Sequence, residues 1–378
     1  MSIIYLQSTH EWIKYSAFYN INNIHNEISS SARISTNKIP KKDDLFIDTC
    51  YGKIYDNSKK AIEGLYGISS NMKYYFNYEE LELVDELRVP FRKIPIYRVS
   101  KVKEIQDVIS IIKKENPDYE ILIRGQTKNY LLNRTDEEKQ LFYGSTNIKE
   151  PSFLPSYLRK KFNEIFLQSL WNNKASDLFN DIGFNYSKTL SKEKFLVYNK
   201  DINYIKNTSL MTSFSLGIAQ HYGLPSVGLD LTSDLEVANW FASNSMNIEP
   251  SGSTTTKKVD STQHKSSMIY IFRCPKDVVF DYQIVKPKVF PTSRPDMQSA
   301  WFGHVGWGAA SNQLASYLIC AFELSKEYLD SLPNNLDRKL FPSIDDDPIL
   351  EYFLRERNKT YYEGDVKKVL QNIYYLKN

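Results

Sequence analysis

Apolar positions in this chain recur at two periods, and each change of period marks an element. From Lys101 to Glu115, Val102, Ile105, Val108, Ile109, Ile111 and Ile112 stand at helical spacing against lysines and acids, which predicts an amphipathic helix closed by Asn116-Pro117. Glu120 to Ile123 then predicts a strand running directly into Arg124-Gly125-Gln126. Lys128 to Lys149 is polar and reads as a loop. Glu150 to Asn172 opens with EPSFLPS and continues as a helix carrying Leu158, Phe162, Ile165, Phe166 and Leu170. The centre of the chain is Thr212 to Asn244. There Phe214, Ile218, His221 and Tyr222 predict a helix, Gly223-Leu224-Pro225 ends it, and Val227 to Leu231 predicts a short buried strand. Thr232-Ser233-Asp234 supplies cap-type side chains for a second helix, with Leu235, Ala238, Trp240, Phe241 and Ala242 facing inward. Polar residues are thereby crowded at the ends of short apolar elements, as a site on rigid supports requires.

Strands are predicted again over Met268 to Arg273, near Gln283 to Val285, through Gln298 to His304 and over Tyr317 to Leu324. Helical pattern occupies Asn77 to Leu87, resumes from Leu336, and gives closing helices over Pro348 to Arg355 and Asp365 to Leu376. Ser243 to Ser267, rich in Ser, Thr, Gly and Lys, reads as an exposed mobile loop. The order implies an α+β fold, a mixed or antiparallel central sheet flanked by helices. Residues 1–95 read as a helical N-terminal accessory region, 96–345 as the main domain and 346–378 as C-terminal helices.

Composition changes this picture little. A hydrophobic fraction of 42% and a charged fraction of 25% belong to a globular chain, and a formal net charge of +3 is too small to argue for nucleic acid. Cys50, Cys274 and Cys320 are odd in number and widely spaced, which gives neither a disulfide framework nor metal-ligand spacing and favours a reducing cytoplasm. No apolar run reaches the ~20 residues of a membrane helix, so no membrane partner is expected.

The residues in order resemble the FRG-domain family. Arg124-Gly125-Gln126 after a strand resembles its aromatic-Arg-Gly signature, with Ile123 at the aromatic position. Phe153-Leu154-Pro155-Ser156 with Arg159 is similar to its Leu-Pro-Ser segment, and Gln220-His221-Tyr222-Gly223-Leu224-Pro225 to its most recognisable string. Leu229 to Ser233, then Ala238, Phe241 and Ala242, resemble its Leu-Asp-Trp-Thr strand and the following helix. Arg294, Gln298 and Phe302, and finally Phe341-Pro342-Ser343, complete the resemblance over residues 100–345. The chain departs from the family at Ser226-Val227, where Thr-Arg is usual, and at Leu231, where the family has tryptophan.

The strand layout in turn resembles ADP-ribosyltransferases. This implies an enzyme that splits NAD, as substrate, and passes ADP-ribose to a macromolecular acceptor, protein or nucleic acid, in the manner of a toxin or defence effector. Arg124 would grip phosphate or ribose oxygens in bidentate fashion, and Gly125 would let the ligand approach the backbone. Thr232 and Ser233 would frame the nicotinamide ribose, with Gln126, Gln220 and Tyr222 as further ligand contacts. Gln298 stands where that superfamily places a catalytic Glu, and an amide cannot replace a carboxylate beside a positive charge. His221 and Asp230 complete the catalytic candidates, and Asp230 is the nearest alternative acid.

Each of these residues also has a plain structural reading. Arg124 can be a salt-bridging residue at a strand end, His221 and Tyr222 satisfied core residues, Thr232-Ser233 a helix cap and Gln298 a loop tie. Arg159-Lys160-Lys161 can be a solvated face rather than a nucleic-acid patch, and Asp345-Asp346-Asp347 is an N-cap rather than a metal site. A non-catalytic module binding a nucleotide or nucleic acid, and an interaction scaffold docking through the aromatic N-terminal region, are the rival functions.

Overall fold

The computed structural model describes residues 76–260, 267–304 and 311–376, with shorter pieces between 41 and 74. Eight strands form one mixed sheet: β1 (Glu82–Val89), β2 (Arg92–Val99), β3 (Tyr119–Gln126), β4 (Gly228–Thr232), β5 (Met268–Pro275), β6 (Val279–Asp281), β7 (Ala300–His304) and β8 (Leu318–Leu324). Their spatial order is β6-β7-β4-β3-β5-β8-β2-β1. Only β8 and β2 run parallel; every other pair is antiparallel.

Strand β5 shows why the sheet sits at the centre. All eight of its residues are buried. Ile269 and Ile271 enter the core beneath helix α1 (Val102–Glu115), while Met268, Tyr270, Phe272 and Cys274 enter the core on the other face. A strand covered on both faces loses polar alternation, which is why MIYIFR reads as a continuous apolar run. Leu122 follows the Tyr270 face and Ile121 and Ile123 the α1 face, so alternation sends Arg124 and Gly125 to opposite faces.

Helix α2 (Glu164–Thr189), α3 (Lys192–Lys206) and α4 (Leu210–His221) form a helical layer with α6 (Pro348–Arg357) and α7 (Gly364–Leu370). Its core includes Trp171, Phe179, Phe214, Tyr222, Phe302 and Phe353. Helix α5 (Leu235–Ser243) covers β3 with Ala238 and Ala242.

Several expectations are corrected. Residues 82–89 form a strand, not a helix; their acids lie on a sheet edge, with Leu87 and Val89 buried. The boundary expected near residue 95 cuts through β2, whose Ala321↔Ile96 pairing makes it part of the central sheet. The helical N-terminal extension falls mainly outside the described residues, whose first elements, from Lys41, are short strands. Lys128 to Lys149 contains a helix, Asp136–Tyr143, which has a Thr135/Glu138 capping box and a left-handed Gly144 at its end. The expected loop at 243–267 holds a hairpin, Asn244–Ile248 against Ser253–Lys258. Tyr282–Val285 is a helical turn, the strand lying earlier at Val279–Asp281.

Candidate active site

The sheet is pinched at its middle. Strands β3 and β4 share one pair, Ile123↔Thr232, and no further ladder. A cavity of about 80 Å³ sits at this seam, lined by Arg124, Gly125, His221, Asp230, Thr232 and Gln298 with Phe241 and Ala238. A more open cleft of about 260 Å³ adjoins it, lined by Ser156, Arg159, Lys160, Gln220, Asp230 and Tyr374 among others. Asp230 is the only acid lining either, among the described residues. Together they reach the lower end of the ~300–1,000 Å³ usual for small-molecule clefts.

Arg124 leaves β3 on the face away from α5 and turns into the seam, where Nη1 donates to the backbone carbonyl of Asp230. Its Nε is buried without a hydrogen-bond partner. Burial pulls the guanidinium below its ordinary pKa; the Asp230 charge opposes this and Arg159 adds to it. A buried donor left unpaired is costly, and Arg294 carries the same cost at its own Nε.

Gly125 has a different role from the expected one. A Cβ built there would stand 1.8 Å from the carbonyl oxygen of Ala238 and 2.9 Å from the nitrogen of Ala242. Helix α5 lies directly on the strand, so the missing side chain admits a helix, not a ligand.

The string from Gln220 to Pro225 spans the end of α4 and the turn into β4. Gln298 fixes its own amide by donating from Nε2 to the Leu340 carbonyl at 3.1 Å, so Oε1 faces His221 Nδ1 at 3.2 Å. On the far side His221 Nε2 lies 3.4 Å from Asp230 Oδ1. Both ring nitrogens thus face oxygen atoms. Gln220 donates to Asp230 Oδ2 at 3.4 Å and accepts from Ser226 Oγ at 2.9 Å. Ser226 sits where the resemblance expects Thr; its hydroxyl holds the glutamine that holds the acid.

The other candidates are bound into the surrounding structure. Tyr222 is fully buried; its hydroxyl donates to Asp347 at 2.6 Å, and burial, with the Asp347 charge, pushes its pKa well up. It is a core residue. Thr232 Oγ1 donates to the Gln298 carbonyl at 2.9 Å and accepts from the Asp234 amide at 3.0 Å, so it lines the cavity with its hydroxyl already used. Ser233 is exposed, and the cap of α5 is Asp234, accepting from the Glu236 amide at 2.8 Å. Gln126 pairs with Met268 at the strand end, its Oε1 buried without a partner. Asp347 caps α6.

Two residues carry more than the sequence suggested. Arg294 is fully buried; Nη1 donates to the His221 carbonyl at 3.0 Å and Nη2 to the Tyr374 carbonyl at 3.1 Å. Its guanidinium lies 4.7, 5.2 and 4.8 Å from the rings of Tyr222, Phe341 and Tyr374. Tyr374 lies beyond the stretch that carried the resemblance. It seats on Gly223, whose φ of +83° and 2.3 Å from a Cβ to the ring require glycine. Only the fold brings it here.

Among the described residues no cluster of acids, histidines or cysteines could hold a metal, and no helix is long and apolar enough to cross a membrane. No protein-family model, no curated protein and no solved structure matches the chain.

Proposed function

We propose that the seam is the active site of an ADP-ribosyltransferase-like enzyme that cleaves NAD at its nicotinamide–ribose bond and passes ADP-ribose to a macromolecular acceptor. The carrying observation is Asp230, the one acid lining both cavities among the described residues, held by Gln220 at one oxygen and 3.4 Å from His221 Nε2 at the other. It takes the part that Gln298 cannot. As the glycosidic bond breaks, its electron pair leaves with nicotinamide, and positive charge on the ribosyl carbon is stabilised by the Asp230 carboxylate. The acceptor nucleophile forms the new bond and releases its proton to the Asp230–His221 pair. Arg124 and Arg159 supply the positive field that an NAD pyrophosphate needs.

The test is nicotinamide release from NAD, with and without cell extract, by the wild-type chain and by Asp230→Asn. Expected is release that the variant lowers by about 100-fold or more. Equal release by both would overturn the assignment of Asp230, and none by either would overturn the enzyme. The rival is a nucleotide-binding module without chemistry, favoured by Arg124, which already donates Nη1 to the Asp230 carbonyl. It requires ADP-ribose binding with no release.

A further inference from the structure

Two distant pieces of chain meet at the outer cleft, beside Gln220, Gly223, Leu224 and Asp230. One is the short helix Ser156–Arg159 with Lys160 after it; the other is the segment that reaches the cleft at Tyr374, with Asn372 two residues before it, ahead of the final strand Tyr375–Leu376. The second piece is firmly held. Ile373 is fully buried, Arg294 bonds the Tyr374 carbonyl, and the Tyr375 amide donates to the Gly252 carbonyl at 3.0 Å. The first piece brings two cations to the cleft, and among the described residues no carboxylate pairs with either. The Lys160 ammonium instead donates to the side-chain oxygen of Asn372. Arg159 and Lys160 are both exposed, and partial burial, then the neighbouring Arg159 charge, pulls the Lys160 pKa down. Arg124, close enough to feel Arg159, adds a third cation, against the single acid Asp230.

A neutral amide oxygen is a weak partner for an ammonium with positive neighbours. A phosphate oxygen in the same place would carry the charge that this corner lacks, and charge-assisted bonds are roughly twice as strong as neutral ones. We propose that the cleft is a phosphate subsite, in which Arg159 and Lys160 bind the pyrophosphate of the nucleotide ligand and Lys160 exchanges the Asn372 oxygen for a phosphate oxygen. Tyr374, fixed by Gly223 and Arg294, is the wall opposite. This rests on the nucleotide reading of the seam, deepens it by naming what the outer cleft takes, and gives the C-terminal turn a direct part in binding.

The exchange makes an unusual demand of Asn372, which competes with the ligand rather than contacting it. Asn372→Asp turns a weak competitor into an ion pair with Lys160, and gives up the two bonds that Nδ2 donates to the Lys368 and Val369 carbonyls. Inorganic pyrophosphate and ADP-ribose would be titrated calorimetrically into the full chain and into Lys160→Gln, Arg159→Gln and Asn372→Asp, with unfolding temperatures measured without ligand. Expected is pyrophosphate binding that weakens about tenfold or more in all three variants, while the unfolding temperatures of Lys160→Gln and Arg159→Gln stay close to wild type and that of Asn372→Asp falls modestly. Unchanged affinity in Asn372→Asp overturns the exchange, and unchanged affinity in Lys160→Gln and Arg159→Gln overturns the subsite. A wild-type chain that binds neither probe also overturns it. If pyrophosphate binds in this pattern but NAD is never cleaved, the subsite stands and the enzyme reading falls. If NAD is cleaved with the same KM by all three variants, the enzyme stands and the subsite falls.

Discussion

Arg294 Nη1 donates to the backbone carbonyl oxygen of His221 at 3.0 Å, and that bond ties the site histidine to the far end of the chain. The same guanidinium holds Tyr374 through its carbonyl, so one buried side chain positions both the inner histidine and the wall of the outer cleft.

Arg294→Met fills much of the volume but leaves both carbonyls without their donor. A buried acceptor left without its donor costs about 1–3 kcal/mol, and two are left here. Chemical denaturation should show a loss of that order. Arg294→Lys should recover only part of it, since an ammonium lacks the planar fork that reaches two carbonyls.

Gln298→Glu tests whether this position is a catalytic acid replaced by an amide. The Leu340 carbonyl accepts from Gln298 Nε2, so a glutamate there would set an oxygen against an oxygen. The expected result is a loss of about 1–3 kcal/mol and no gain in nicotinamide release. A rise in release would show that the missing carboxylate belongs at 298.

Gly125→Ala places its methyl group against the backbone of α5, where no side-chain rotation relieves the 1.8 Å approach. Either β3 or the helix has to move, and a loss of at least about 1–3 kcal/mol is expected. Thermal unfolding of this variant beside wild type reads it directly.

Arg134 lies between Asp48 and Glu150, and all three are buried. Burial raises the Asp48 pKa, Arg134 opposing and Glu150 adding. A carboxyl raised on folding contributes most below its unfolded value, and the contribution is lost as pH rises through the folded pKa. Arg134→Ala removes the opposing cation and leaves two buried carboxyls together. Its deficit should be about 3–5 kcal/mol near neutral pH and shrink as the pH falls into the carboxylate range. Unfolding temperatures of both proteins across that range test the sign.

Much of the fold was legible. Val102–Glu115 formed where Val102, Ile105, Val108 and Ile112 predicted a helix, and MIYIFR and YLICAFEL are strands, because local period and burial agree there. Reading failed where tertiary burial overrode composition. Glu82–Val89 is rich in acids, yet pairing with β2 makes it a strand, and the Ser/Thr-rich stretch after Ser243 is ordered by a hairpin ladder. The cavity residues Arg124, His221, Asp230, Thr232 and Gln298 were all named from the sequence. Their partners were not.

The sequence by itself determined which residues are polar at the ends of apolar elements, and so which could form a site. Tertiary structure decided what each faces. Strand alternation and the single Ile123↔Thr232 pair turned Arg124 into the seam and gave Gly125 to a helix. Burial sent Tyr222 into the core, and chain reversal brought Tyr374 to a cleft otherwise lined by residues from Ser156 to Asp230. Local spacing fixes a side chain's direction from its own element; only packing fixes what lies in that direction.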